Sequence, residues 1–132
     1  MAHSAKVRAG LEALGQLQRF MSAHQRNYLH ACMINSEERD YFAELIVNLN
    51  RQIKAMPLTY QSKDHVAHLH YFIRNIDAYI SEKDSEYEQH QAYGAQDIGY
   101  GAEIGYVSIP ELLKVGAELD LYWTPRPLKE IV

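Results

Sequence analysis

Apolar residues recur at helical spacing through the first 56 residues of the chain. The first set lies at steps of three and four residues and consists of Val7, Leu11, Leu14, Leu17 and Met21. The second set follows similar spacing and consists of Phe42, Leu45, Ile46, Leu49, Ile53 and Met56. Such spacing places each set on one side of an α-helix. The pattern predicts an N-terminal helix, which residues 23–34 extend or follow as a second short helix, and a long helix at about 36–55.

The ends of the long helix carry recognisable signals. Asn35 and Ser36 are good cap residues, and Glu38 lies three positions after Asn35, as in a capping box. Pro57 is expected to end the helix, because proline lacks the backbone N–H that a helix needs.

After Pro57 the pattern changes to short runs of β-branched and aromatic residues between turn residues. These runs predict strands at 65–73, 77–82, 87–94, 103–109 and 117–123. Before the last strand, Ser108, Pro110, Glu111 and Gly116 predict a short helix with marked ends. The fold class expected is α+β, with N-terminal helices packed on a mostly antiparallel sheet of about five strands and one short helix before the last strand.

The length of 132 residues fits one domain with an appended arm. We divide the chain into an N-terminal helical arm, residues 1–34, and an α+β domain, residues 35–132. The apolar stripe of the arm can pack on its own domain or on a second copy, so a self-associating module, a homodimer through this helix, is one expectation. The single cysteine, Cys32, favours a reducing cytoplasm, and no apolar run reaches the roughly 18–20 residues of a membrane span.

Acidic residues concentrate in the second half of the chain. Residues 63–132 carry six basic and twelve acidic side chains, a net charge of −6, within a total of −4. An acidic surface repels a phosphate backbone and attracts basic proteins. We therefore expect a protein partner rather than direct nucleic-acid binding, although such a charge also serves solubility alone.

Four of these acids recur at every second residue, namely Glu82, Asp84, Glu86 and Glu88. In an extended hairpin, several of them point the same way and form a negative ridge. The chain also has ten tyrosines against three phenylalanines. Tyrosine is enriched at interfaces, and the candidate anchors beside the ridge are Tyr87, Tyr93 and Tyr100. A solvated hairpin tip is the alternative interpretation.

Three histidines lie close together at positions 65, 68 and 70. On one continuous strand, His68 and His70 share a face, whereas His65 lies on the other. A His-x-His pair can begin a metal site, but it needs a third ligand. The second hypothesis is therefore a metal-binding domain or small metal-dependent enzyme that uses His68 and His70, and its alternative is ordinary, partly exposed strand histidines. No cofactor motif is present.

Residues 56–131 resemble an uncharacterised bacterial family, domain of unknown function 2958. The segments that carry the resemblance are "LTYQSKDHVAHLHYF", "AYISEKD", "GYGAEIGYVSIPELL" and "ELDLYWTPRPL". The resemblance implies a protein carried on plasmids, phages and integrated elements, and it implies no catalytic residues. Its context suggests a non-catalytic protein that blocks a host defence complex, such as a CRISPR effector or a restriction enzyme, by occupying its surface.

Overall fold

The computed structural model describes residues 3–132, and three helices precede the sheet. Helix α1 spans Ala5–Gly15, α2 spans Ala23–Asn35 and α3 spans Arg39–Lys54. Residues 23–35 thus form a separate helix rather than an extension of α1. Ser4 and Ser22 are the N-cap residues of the first two helices, and their hydroxyls accept hydrogen bonds from the backbone N–H groups of Val7 and Gln25.

The long helix is confirmed, but its predicted capping box is wrong. Asn35 is the last residue of α2, and Glu38, the N-cap of α3, makes no side-chain cap bond. The Ser36 hydroxyl accepts from the N–H of Glu38 at 2.9 Å instead. The short link between α2 and α3 therefore leaves no room for Asn35 to serve the second helix.

Seven strands and a fourth helix follow. The strands are β1 Val66–Ala67, β2 Leu69–Ile73, β3 Ile76–Glu82, β4 Ala92–Asp97, β5 Ala102–Val107, β6 Glu118–Leu119 and β7 Arg126–Pro127. Five of them form an antiparallel sheet in the order β5-β4-β3-β2-β6, and β1 pairs with β7. Helix α4, Ile109–Lys114, precedes β6, and a 3-10 turn, Leu128–Glu130, follows β7. The predicted α+β class and the short helix are confirmed.

Three predicted strands differ from those observed. The strand expected at 65–73 is broken at His68, because β1 leaves the sheet to pair with β7. The strand expected from residue 87 begins at Ala92, since the side-chain amide of Gln89 bonds to the backbone N–H and C=O of Asp84 and folds the segment between into a turn. The last predicted strand is only two residues long.

The two faces of the sheet are covered to different extents. On one, the helix face, buried residues such as Leu69, Ile80 and Val107 pack against the helices. On the other, the tail face, the C-terminal segment covers only part of the sheet, where Leu128 packs with Ala67 and Ala95, and Tyr106 of β5 is exposed. The indole N–H of Trp123 donates to the carbonyl of Ala67 at 2.9 Å and fixes this segment to β1.

The N-terminal arm belongs to the same core as the sheet. Val7, Leu14, Leu17 and Met21 are buried in one cluster with Tyr71 of β2. The core therefore does not divide at residue 34, and the stripe that suggested a homodimer is covered by the chain's own residues. None of the helices formed by residues 3–132 combines the length and hydrophobicity needed to cross a bilayer.

Candidate functional site

The four alternating acids do not form one exposed ridge. Glu82 is 1 % exposed and Asp84 is also buried, whereas Glu86 and Glu88 are exposed. Asp84 accepts hydrogen bonds from the backbone N–H groups of Glu86 and Gln91, so its carboxylate serves the turn. The alternation fails because these residues do not continue as a strand after Glu82.

The buried carboxylate of Glu82 instead organises the loop before β1. One of its oxygens accepts from the backbone N–H of Tyr60, and the other lies 3.3 Å from Nδ1 of His65. Both loop residues have positive φ, +74° at Tyr60 and +46° at His65. A non-glycine residue in this left-handed region costs about 1–2 kcal/mol. A buried acid thus contacts both strained positions of one surface loop.

The loop presents the ring of Tyr60 to two tyrosines of the sheet. Tyr106 packs edge-to-face with Tyr60 at 6.3 Å and with Tyr93 at 6.0 Å between ring centroids. Tyr93 and Tyr106 are direct partners across β4 and β5, and the ring of His65 lies 5.9 Å from that of Tyr93. We call Tyr60, Tyr93 and Tyr106 the tyrosine row. Tyr60 is 81 % exposed, so the row offers an aromatic surface to a partner.

The other predicted anchors lie apart from one another. Tyr87 is in the exposed β3–β4 connection, with the guanidinium of Arg19 at 4.6 Å from its ring centre. Tyr100 is 94 % exposed in the β4–β5 turn, at the opposite end of β4 from this connection. Glycines shape that turn, since Gly99 and Gly101 have positive φ and both donate their N–H to Asp97. The structure thus places only Tyr93 of the three in the tyrosine row.

His70 lies between two carboxylates on the tail face. Its Nδ1 is 3.0 Å from Asp120 and its Nε2 is 2.7 Å from Asp77. Both ring nitrogens therefore face a carboxylate. The rings of Tyr79 and Trp123 each lie 5.0 Å from it. In this arrangement His70 has no free nitrogen for a metal or a substrate, and it joins β2 to β3 and to the segment after β6.

His68 has different surroundings. It lies at the break between β1 and β2 and lines a hollow of about 80 Å³ with residues of α3, among them Leu45 and Gln52. Burial lowers the pKa of its imidazole. Within residues 3–132, no three His, Cys, Asp or Glu side chains are arranged to hold a metal. The continuous strand on which the predicted His68–His70 ligand pair depended is broken at His68, and the pair stays a prediction.

Sequence reasoning missed Tyr60, Tyr106 and the role of Glu82. The pairing of Tyr93 with Tyr106 depends on the register of two strands, which spacing along one chain does not give. The signal for Glu82 was its place in a strand otherwise rich in apolar residues, where a charged side chain needs a partner.

No family model matches the chain, and neither the curated proteins nor the solved structures contain a significant match to it. The resemblance to domain of unknown function 2958 accordingly rests on the quoted segments and stays a prediction. The interpretation of the tyrosine row rests on its own geometry.

Proposed function

We propose that this chain is a non-catalytic binding protein that occupies a protein partner through the tyrosine row. The observation that carries the proposal is Tyr60. The chain holds a non-glycine residue at φ +74° with a buried carboxylate, and the side chain so placed is 81 % exposed. Strained backbone persists where the surrounding structure determines it, and such positions cluster at functional sites.

The chemistry of the row fits a protein interface. Tyrosine has few rotatable bonds, so it offers a large contact area at a low entropic cost. The edge-to-face contacts of Tyr106 with both neighbours limit the motion of the rings further. A surface ordered before binding loses less entropy when a partner docks.

The charge of the chain supports a basic partner. Residues 63–132 have a net charge of −6, and Glu86 and Glu88 are exposed in the β3–β4 connection, at the end of β4 that carries Tyr93. Charges of this kind raise association rates and select against acidic partners. Of the four acids in the predicted ridge, Glu86 and Glu88 therefore remain candidates for partner binding, together with Tyr87 between them.

The proposed class of partner rests on the family resemblance alone. That resemblance supports the proposal that this chain is a bacterial mobile-element protein. Such a protein would act in the host cytoplasm on a defence complex, such as a CRISPR effector or a restriction enzyme. Surfaces of such complexes that bind nucleic acid are basic, which agrees with the acidic charge of this chain.

Capture from a bacterial lysate with variants of one row residue tests the proposal. Tagged wild-type protein, Tyr106→Phe and Tyr106→Ala are compared, with Val115→Ala as a control because Val115 is exposed outside the row. We expect a protein that is retained by the wild type, Tyr106→Phe and Val115→Ala and lost with Tyr106→Ala. Equal retention by all four folded proteins would contradict the proposal.

Charge reversal of Glu86 and Glu88 tests the electrostatic part separately. We expect the double variant Glu86→Lys/Glu88→Lys to slow association with the captured partner, with the largest effect at low salt. Glu82 and Asp84 are excluded from this test, since reversal of a buried acid would disturb folding. An association rate that is unchanged at low salt would show that these acids do not steer the encounter.

A further inference from the structure

A hollow of about 390 Å³ lies at the opposite edge of the sheet from the β5 strand. Its lining comes from α2, from β2 and from the segment 118–122. Four strand spacings separate β6, at this edge, from β5, which carries Tyr106. The hollow is therefore roughly 19 Å from β5. We call it the aromatic hollow.

The floor of the aromatic hollow is fixed by one buried side chain. The amide of Gln25 donates to the carbonyl of Leu119 at 2.8 Å and accepts from the N–H of the same residue at 2.9 Å. These are the two bonds that a neighbouring strand would make to β6. The side chains of Leu29 and Leu119 are buried beside it. The hollow therefore has an ordered, apolar base.

Its walls are aromatic and its charged groups are acidic. Tyr28, Phe72 and Tyr122 line it, and a hydrogen bond with Tyr41 raises the pKa of the Tyr122 hydroxyl. Glu118 supplies an exposed carboxylate, whereas the carboxylate of Asp120 contacts His70 and accepts from the N–H of Tyr122. The lining contributed by residues 3–132 includes His24 but no lysine or arginine. Aromatic ring faces attract cations, and adjacent carboxylates strengthen that attraction.

We propose that the aromatic hollow binds the cationic side chain of a lysine or arginine that a protein partner presents. The rings of Tyr28, Phe72 and Tyr122 contact its alkyl stem and its charged group, and Glu118 provides the counter-charge. This inference rests on the proposed function, since it assigns the cation to a protein partner.

The openness of the site favours a side chain over a free small molecule. Tyr28 is 64 % exposed and Tyr122 is 66 % exposed, so the rim leaves one side of an occupant uncovered. Small-molecule sites bury about 70–90 % of their ligand's surface. A side chain on a partner's surface closes the opening with that surface itself.

Titration with two isosteric peptides, followed by NMR of the ¹⁵N-labelled protein, tests the inference. Acetyl-Gly-Arg-Gly-amide carries the cation, and acetyl-Gly-citrulline-Gly-amide has the same shape without the charge. The reporters are the side-chain amide of Gln25 and the backbone N–H of Tyr122, and the N–H of Gly99 in the β4–β5 turn is the remote control. We expect saturable shifts at the two reporters with the arginine peptide only.

Two charge variants make the test site-specific. Glu118→Gln should weaken binding of the arginine peptide by about twofold to fivefold, whereas Glu12→Gln, the same change on an exposed residue of α1, should leave it unchanged. Tyr122→Ala should also weaken binding of the arginine peptide, by about twofold to fivefold. Equal shifts with both peptides, no shift with either, or equal weakening by Glu118→Gln and Glu12→Gln would overturn the inference. Such a result would leave the capture test with Tyr106 variants, and hence the proposed function, standing.

Discussion

At the scale of single residues, Tyr60 links backbone strain to a surface. Its side chain is exposed, and its backbone N–H bonds to the carboxylate of the buried Glu82. A glycine at this position would adopt φ +74° without steric cost but would remove the ring from the tyrosine row. At this position glycine would therefore favour stability, whereas tyrosine favours partner binding.

We expect Tyr60→Gly to keep or raise stability while it weakens partner binding. Removing the cost of the left-handed conformation should raise the free energy of unfolding by about 1–2 kcal/mol. The greater freedom of glycine in the unfolded chain should lower it again by about 0.4–1 kcal/mol. Urea denaturation measures the first effect, and capture from lysate measures the second. A variant that is clearly less stable than the wild type would show that the Tyr60 ring stabilises the fold.

His68 provides a pH dependence with a defined sign. Burial lowers the pKa of its imidazole below the usual 6.5, so the unfolded state binds more protons as the pH falls past that value. The stability that depends on a neutral His68 is therefore fully present above pH 6.5, and it is lost as the pH falls toward the pKa of His68 in the folded protein. Between pH 7 and pH 5, His68→Gln should lose less stability than the wild type.

Urea denaturation of the wild type and of His68→Gln at each pH measures the two profiles. If His68→Gln followed the wild-type profile, burial of His68 would not contribute to the acid sensitivity of the fold.

At the scale of the elements, α1 and α3 approach closely at Gly10. A Cβ atom added there would meet Cβ of Ala43 and Sδ of Met33, each at 2.7 Å. Gly15, at the end of the same helix, has nothing within 4 Å of such an atom. The two glycines of α1 therefore differ in role, although both weaken an isolated helix.

We expect Gly10→Ala and Gly15→Ala to have opposite effects on stability. The first forces two packed helices apart and should cost about 1–3 kcal/mol. The second should be neutral or gain about 0.4–1 kcal/mol, since it reduces the freedom of the unfolded chain. Thermal or urea denaturation of the two variants measures both, and a neutral Gly10→Ala would contradict the packing described.

The elements show what spacing along a chain can predict. The apolar stripe of α3 and the signals of Ser108 and Gly116 around α4 depend on neighbouring residues, and the structure confirms both helices. The break of the predicted strand at His68 depends on β7, some sixty residues later, whose pairing with β1 no local pattern records. The site was harder to predict for the same reason, because Tyr60, Tyr93 and Tyr106 meet only through strand register and a buried acid.

At the scale of the whole molecule, the N-terminal helices complete the core. Val7, Leu14 and Leu17 of the arm lie in one buried cluster with Ile46 and Tyr71. Deletion of residues 1–34 should therefore abolish the cooperative unfolding transition rather than change the mass of a folded protein. Circular dichroism during urea denaturation measures this, and a cooperative transition in the truncated chain would contradict a single shared core.

The affinity for the captured partner, measured by calorimetry, tests the central claim most directly. The wild type, Tyr106→Phe and Tyr106→Ala are compared at one salt concentration, after their melting temperatures have been shown to agree. A residue at the centre of an interface costs about 1–2 kcal/mol or more when truncated, so Tyr106→Ala should raise Kd at least about fivefold. Tyr106→Phe should stay close to the wild type. A Kd for folded Tyr106→Ala within twofold of the wild-type value would contradict the claim that the tyrosine row is the binding surface.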